Sequence, residues 1–328
     1  MTLLVRDEAD IVDEQIGFHL DQGVDFVVAT DHRSVDGTTE LLRRYEGEGL
    51  LHLIREEGEG IHQSEWVTRM ARLAASDFGA DWVINADADE FWWPREGSLH
   101  EVLAAVPLRF GAVRGLWRHF ALRPDSPGPF FERMTVRRRP NEDWTSPYHV
   151  QVKVAHRGDP RVVVPKGNHD ALGERLVLLR EWFPFEVLHF PVRSSEQLRR
   201  KFELTAAASR TGDGRLARHV EAVVATIEAR GADGVYEELL VDDERLEAGL
   251  RDGSLTVDTR VRDALRGRGS ERGASVRPSL ADDVAFAEEI DALHAHDAAT
   301  KLRARVDAFD RRLGTLEAMR LFARRQRG

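Results

Sequence analysis

The chain has 328 residues, enough for one large domain with an appendage or for two modest ones, and 42% of them are hydrophobic, as in an ordinary globular protein. A formal net charge of -10 argues against a protein that grips a nucleic-acid backbone. The absence of cysteine excludes a disulfide scaffold and a thiolate zinc site.

Taken in chain order, the start MTLLVRDEAD places acids directly after a very short apolar run, too short for a signal-peptide core or a bilayer span. No later stretch is continuous enough either, so the expected location is the cytoplasm. The first hundred residues alternate strand and helix patterns. TLLV reads as a strand; Val12, Ile16, His19 and Leu20 then recur at helical spacing, DFVVAT is a second strand, and a helix runs through Leu41 and Leu42. LLHLI is a third strand, Trp66, Met70, Leu73 and Ala74 mark the inner stripe of a third helix, and WVINA is a fourth strand. Such alternation predicts a parallel α/β sheet, in which ligands gather at the carboxyl ends of the strands. Asp7, Asp31 and the pair Asp87/Asp89 all fall just past strand ends.

The stretch WVINADADEFWWP, residues 82–94, is the most informative. Side chains two apart in a strand share a face, so Asp87 and Asp89 are predicted to converge on one hard cation, Mn²⁺ or Mg²⁺. A bare D-x-D is common by chance, and its weight here comes from the strand before it. Glu90 is placed to join or support that shell. Phe91, Trp92 and Trp93 are expected in the core, with lining of the ligand site as the alternative.

From about residue 108 to 190 the pattern turns β-rich (FGAVRGLW, FERMTVRRR, YHVQVKVAHR, RVVVP, FEVLHF), which predicts an extension of a mixed sheet. Lys153, among alternating apolar residues, is expected to shape a pocket or to pair with an acid. Past Arg193 the chain becomes helical and charged, and residues 266–279 have the composition of a flexible loop. A domain boundary near 205 divides residues 1–205 from a helical C-terminal region, 206–328. Residues 301–328 hold nine Lys/Arg against three Asp/Glu, and Leu302, Val306, Phe309 and Leu313 form one apolar stripe. This predicts a helix packed on its own domain, with peripheral contact to anionic lipid at the inner membrane surface as the alternative.

VRDEADIVDEQIGFHLDQGVDFVVATDHRSVDGTTE followed by GADWVINADADEFW resembles the N-terminal half of family 2-type glycosyltransferases, over roughly residues 2–95, with weaker matches in HVQVKVAHR, GNH and LHFPVRSSEQLRRK. The resemblance implies a GT-A (Rossmann-like) mixed sheet flanked by helices, with a helical C-terminal extension. It implies a metal-dependent, non-processive and inverting transfer of a sugar from a nucleotide-diphosphate donor to a glycan, lipid or small-molecule acceptor. Asp89 would ligate the metal, Asp87 the metal's water shell or the ribose, and His189 would complete the ligand set. Arg6, Asp7, Glu8 and Asp31 would line the nucleoside, with Asp at 7 where the family carries Asn, while Asp36 holds the turn. Arg193 and Lys201 would meet the phosphates. For the general base that takes the acceptor proton, Asp143 in NEDW is the first candidate, with His169 and Asp170 in GNHD as rivals. Competing readings are a nucleotidyltransferase, a haloacid-dehalogenase-type phosphotransferase, and a non-catalytic carbohydrate-binding protein on a degenerate fold.

Overall fold

The computed structural model describes residues 1–58, 60–141, 146, 148–201, 218–268, 289–290, 293–304 and 306, with the backbone alone for 218–228. The chain divides into two compact units, Met1–Ser275 and Val276–Gly328.

In the first unit, β1 (Thr2–Val5), β2 (Val27–His32), β3 (Leu51–Glu56) and β4 (Trp82–Asp87) are linked by α1 (Val12–Asp21), α2 (Thr38–Gly47) and α3 (Gln63–Ser76). They are followed by β5 (Glu90–Pro94), α4 (Leu99–Ala104), β6 (Ala112–His119), α5 (Phe130–Arg133), β7 (Val136–Arg138), β8 (Val152–Arg157) and β9 (Phe185–His189). One eight-stranded sheet results, in the order β3-β2-β1-β4-β8-β6-β9-β5. The first four strands are parallel, β8 runs antiparallel to both β4 and β6, and β9 lies parallel to β6 and antiparallel to β5. The predicted mixed sheet flanked by helices is therefore present.

Most of the predicted helical stripes are buried, Val12, Ile16 and His19 on α1 and Trp66, Met70 and Ala74 on α3, while Leu20 and Leu73 are half-buried. Hydrophobic burial against the two sheet faces is what holds these helices. A Ser98–Glu101 capping box starts α4, the serine hydroxyl accepting from the amide of Glu101 while that carboxylate accepts from the amide of Ser98.

Two parts of the β-rich stretch depart from the pattern, the first being the start of FERMTVRRR, which lies in the helix α5 (Phe130–Arg133). RVVVP forms no ladder strand, only an isolated bridge between Val163 and Leu172. Pro160 and Pro165 bracket it, and its buried Val162 and Val164 plug the cluster beneath α3. EFWWP, by contrast, is the edge strand β5, with Phe91 and Trp92 fully buried, as expected of core aromatics.

Beyond residue 205 the chain keeps contributing to the first unit. After α6 (Arg218–Leu239) and α7 (Asp243–Asp252), β10 (Leu255–Val257) pairs with β7, and α8 (Arg260–Arg266) follows. Arg260 donates to Glu186 on β9 at 2.6 Å. Residues up to Ser275 thus belong with the sheet in the first unit, and these ladder and ion-pair contacts reach back to it. In the second unit, residues 293–304 are helical; Leu302 and Val306 are solvent-exposed, and Phe309 and Leu313 lie outside the described residues. So does most of the expected loop at 266–279.

Candidate active site

The site is built at the carboxyl end of β4. The strand stops at Asp87, and Ala88 and Asp89 form the turn into β5. The two acids are neighbours through that turn, not through strand alternation, and each has its own set of partners.

Asp87 faces β8 and the loop after it. Lys153 Nζ donates to its Oδ2 at 2.9 Å and Asn168 Nδ2 to its Oδ1 at 3.2 Å. Lys153 is 1% exposed and also reaches Glu90 Oε1 at 2.7 Å and the carbonyl of Gly167 at 2.9 Å. Gly167 and Asn168 both take left-handed backbone conformations, φ 89° and 59°, which turn the GNH segment back onto the acids. Glu90 is wholly buried; burial pushes its carboxyl up to about 8, while the nearby Lys153 ammonium opposes this and the charges of Asp87 and Asp89 add to it. Lys153 stays charged: burial alone would lower it, but Asp87 and Glu90 raise it.

Asp89, 5% exposed, faces the other way round the turn. Its Oδ2 lies 3.5 Å from His189 Nε2 and accepts from Lys201 Nζ at 3.3 Å. Burial would raise this carboxyl, but Lys201, His189 and Arg193 hold it well below the usual range. His189, the last residue of β9, is lowered by burial despite Asp89 and is therefore neutral near pH 7. It stacks on Trp117, centroids 4.3 Å apart, and its Nδ1 lies 3.0 Å from Nδ1 of His119. Trp117 also sits under Lys153 Nζ at 4.7 Å and meets His169 edge-on at 5.5 Å. One wall thus joins the Asp87 and Asp89 halves of the site.

Of the predicted base candidates, His169 contacts this wall. Its Nδ1 is 2.8 Å from the carbonyl of Val152, which fixes the proton there and leaves Nε2 as the acceptor; burial lowers its pKa. Asp170 is exposed and accepts only from the amide of Ala171, at 2.9 Å. Asp143 lies outside the described residues.

The predicted nucleoside residues cluster at the ends of β1 and β2, mostly tied to one another. Asp31 is fully buried, accepting from the Ser34 amide at 3.1 Å and from Thr39 Oγ1 at 2.5 Å. Both bonds hold the loop after β2. Asp7, at φ 55°, accepts from the Val35 amide at 2.8 Å. Arg6 Nη1 lies 3.5 Å from His32 Nδ1, and its Nε is buried without a partner. Asp36 accepts from the amides of Ala9 and Thr38, both at 3.0 Å, and so holds the turn into α2 as expected.

Arg193, predicted to meet phosphate, is instead fully buried, donating to Asp10 at 2.7 and 2.8 Å and to Glu8. The pairing anchors the segment carrying Lys201 to the loop after β1 and occupies Glu8 as well. Lys201 itself, 46% exposed, donates to Asp89 at 3.3 Å and to the Pro191 carbonyl at 3.2 Å. Sequence reasoning missed His119, Trp117 and Asn168. A signal for His119 existed: His119-Phe120-x-x-Arg123 repeats the spacing of His189-Phe190-x-x-Arg193.

A divalent cation is the group the sequence implies. Among the described residues, Asp87, Asp89 and His189 are not gathered into one three-ligand set, because Lys153 and Asn168 hold Asp87 aside. Asp89 and His189 do fit a cation: one is kept ionised, the other neutral, and 3.5 Å separates their facing atoms. Mg²⁺-type sites commonly have only one or two protein ligands, the rest being substrate phosphate and water.

A parallel sheet with an antiparallel extension, carrying acids at its strand ends, and a matching family model together make this chain a glycosyltransferase. The model is that of glycosyltransferase family 92, and it matches residues 3–110, from β1 through α4. No curated protein matches the chain. Among solved structures, S. aureus TarS 1-349 in complex with UDP has a TM-score of 0.34 at 14% identity, covering 70% of each chain. The UDP-GlcNAc complex of the same TarS fragment has a TM-score of 0.34 at 13% identity, covering 69% of this chain and 70% of that one. Both are loose resemblances.

Proposed function

We propose that the protein moves a sugar from a nucleotide-diphosphate donor to an acceptor hydroxyl, in the manner of family 2-type GT-A enzymes, with Asp89 and His189 holding a divalent cation at the diphosphate. The observation that carries this is the ionised, buried Asp89 facing a neutral His189 at 3.5 Å on the rim of the sheet. Mn²⁺ or Mg²⁺ bound there supplies Lewis-acid stabilisation of the departing diphosphate. Lys201, 3.3 Å from Asp89 and partly exposed, adds a positive charge for the phosphate oxygens. Asp87, fixed by Lys153 and Asn168, faces the same ion through water or holds the ribose, and Arg6 and Asp7 flank the nucleoside. His169 serves as the base: its Nδ1 proton is held by the Val152 carbonyl, so Nε2 can take the acceptor proton as the sugar inverts. The acceptor is a glycan, a lipid or a small molecule. The expected setting is the cytoplasm, with peripheral contact to anionic lipid through the basic residues of 301–328; no helix among the described residues is long and apolar enough to cross a membrane.

The test is a thermal-shift panel of nucleoside diphosphates with and without Mn²⁺, on wild type and Asp89→Asn. One nucleotide should raise Tm only with the metal, and only in wild type. A second reading rests on Lys201: its ammonium already stands beside Asp89, where it supplies the cationic charge without metal. Stabilisation independent of Mn²⁺ and lost in Lys201→Met would select it. No nucleotide effect under either condition would reject both.

A further inference from the structure

Two imidazoles meet behind Asp89. His119 ends β6 and His189 ends β9, and the parallel ladder sets them in register. Nδ1 of one ring lies 3.0 Å from Nδ1 of the other, so one ring donates and the other accepts. His189 Nε2 faces Asp89 Oδ2 at 3.5 Å, whereas His119 Nε2 is buried without any partner.

These contacts allow two arrangements of the neutral pair. In the first, His119 Nδ1–H donates to His189, and His189 carries its proton on Nε2, toward the carboxylate. In the second, His189 Nδ1–H donates to His119, the His189 Nε2 lone pair faces Asp89, and His119 carries a proton on its buried Nε2. Without a cation the first is favoured, because the second sets a lone pair against an anion and buries a donor with no acceptor. A divalent ion between Asp89 and His189 reverses the preference, since imidazole ligates through a lone pair.

Building on the cation reading above, we propose that His119 is a positioning residue that sets the tautomer of His189, and that loading a divalent ion at Asp89 and His189 moves both rings from the first arrangement to the second. The protons balance. His189 loses the Nε2 proton and gains one on Nδ1; His119 loses the Nδ1 proton and gains one on Nε2; none is taken up or released in sum. The neighbouring ring that accepts the His189 proton thus takes the place a carboxylate or carbonyl commonly fills behind a metal-bound histidine.

The experiment uses the full chain with ¹⁵N-labelled histidine, reading ring tautomers by NMR with and without the diamagnetic ion Mg²⁺, and Mn²⁺ affinity by EPR for wild type, His119→Phe and His119→Gln. Both rings should change tautomer on Mg²⁺ saturation. His119→Phe should bind Mn²⁺ about 10- to 100-fold more weakly, and His119→Gln, whose amide oxygen can accept from His189 Nδ1–H, should recover part of that loss. A His189 tautomer unchanged by Mg²⁺, or a folded Phe variant with wild-type Mn²⁺ affinity, overturns the proposal and leaves the cation reading intact. A wild-type chain that binds neither ion overturns both.

Discussion

Lys153 is a buried ammonium shared by two carboxylates, and the three groups do not contribute equally. Its Nζ is 2.9 Å from Asp87 and 2.7 Å from Glu90, yet Asp87 keeps 27% of its side chain exposed while Glu90 keeps none. Burial pushes the Glu90 carboxyl up to about 8, so Glu90 holds its proton at pH 7. Two substitutions should therefore behave very differently at pH 7. Glu90→Gln replaces a largely neutral acid with an isostere and should cost less than about 1 kcal/mol in urea unfolding, whereas Lys153→Met leaves the Asp87 carboxylate without its cation and Glu90 without its hydrogen bond, and should cost about 3 kcal/mol. The sign with pH follows from linkage. A folded pKa raised from an ordinary 4.5 to about 8 gives stability that is lost as pH rises through that window, so the Gln variant should gain on wild type between those values. A constant difference between the two from pH 5 to 9 would show that Glu90 is ionised throughout.

At the scale of elements, Arg193 decides whether the segment bearing Lys201 stays on the sheet. It bonds Asp10 and Glu8 beyond β1 and the Phe190 carbonyl beyond β9, and its own carbonyl accepts from Arg133. Arg193→Ala should cost about 3 kcal/mol, at the low end for a broken buried pair because Asp10 remains 42% exposed. Arg193→Lys should recover little, since one ammonium cannot span both acids. Hydrogen exchange should rise over residues 194–201 in both variants; unchanged protection there would refute the anchoring role. This tie also marks the limit of what the sequence conveys. The β/α alternation was readable because each strand and helix answers to its own period of burial, and the acids at the ends of β1, β2 and β4 followed from it. Which partner each charged group takes depends on residues nearly two hundred positions away, as in Arg193 with Glu8, and no local period encodes that. A loop arginine near a predicted phosphate site reads as a ligand contact until its burial is seen. Likewise, Asp31 matches a nucleotide motif while its oxygens are engaged by Ser34 and Thr39.

For the whole molecule, acid sensitivity follows from histidines folded in their neutral form. His19 is the clearest case: its Nδ1 is 2.7 Å from the Gln15 carbonyl, and its Nε2 accepts from the Trp92 amide at 3.1 Å. The ring therefore links α1 to the edge strand β5 only while Nε2 carries no proton. Burial lowers its pKa from 6.5 to about 4, against the modest upward pull of the Gln15 carbonyl, and burial also lowers His156. In the unfolded chain these rings protonate first, so acid favours unfolding: the stability from His19 is complete above about pH 6.5 and is lost as pH falls through the folded value near 4. A shift of that size corresponds to about 3 kcal/mol. Urea midpoints measured from pH 7.5 to 4 should fall steeply for wild type. His19→Gln, which cannot gain this charge, should start lower at pH 7.5 and decline less, so that the two curves approach each other toward pH 4. Parallel curves would mean that His19 titrates alike in the folded and unfolded chain, and that the α1–β5 link does not depend on a neutral ring.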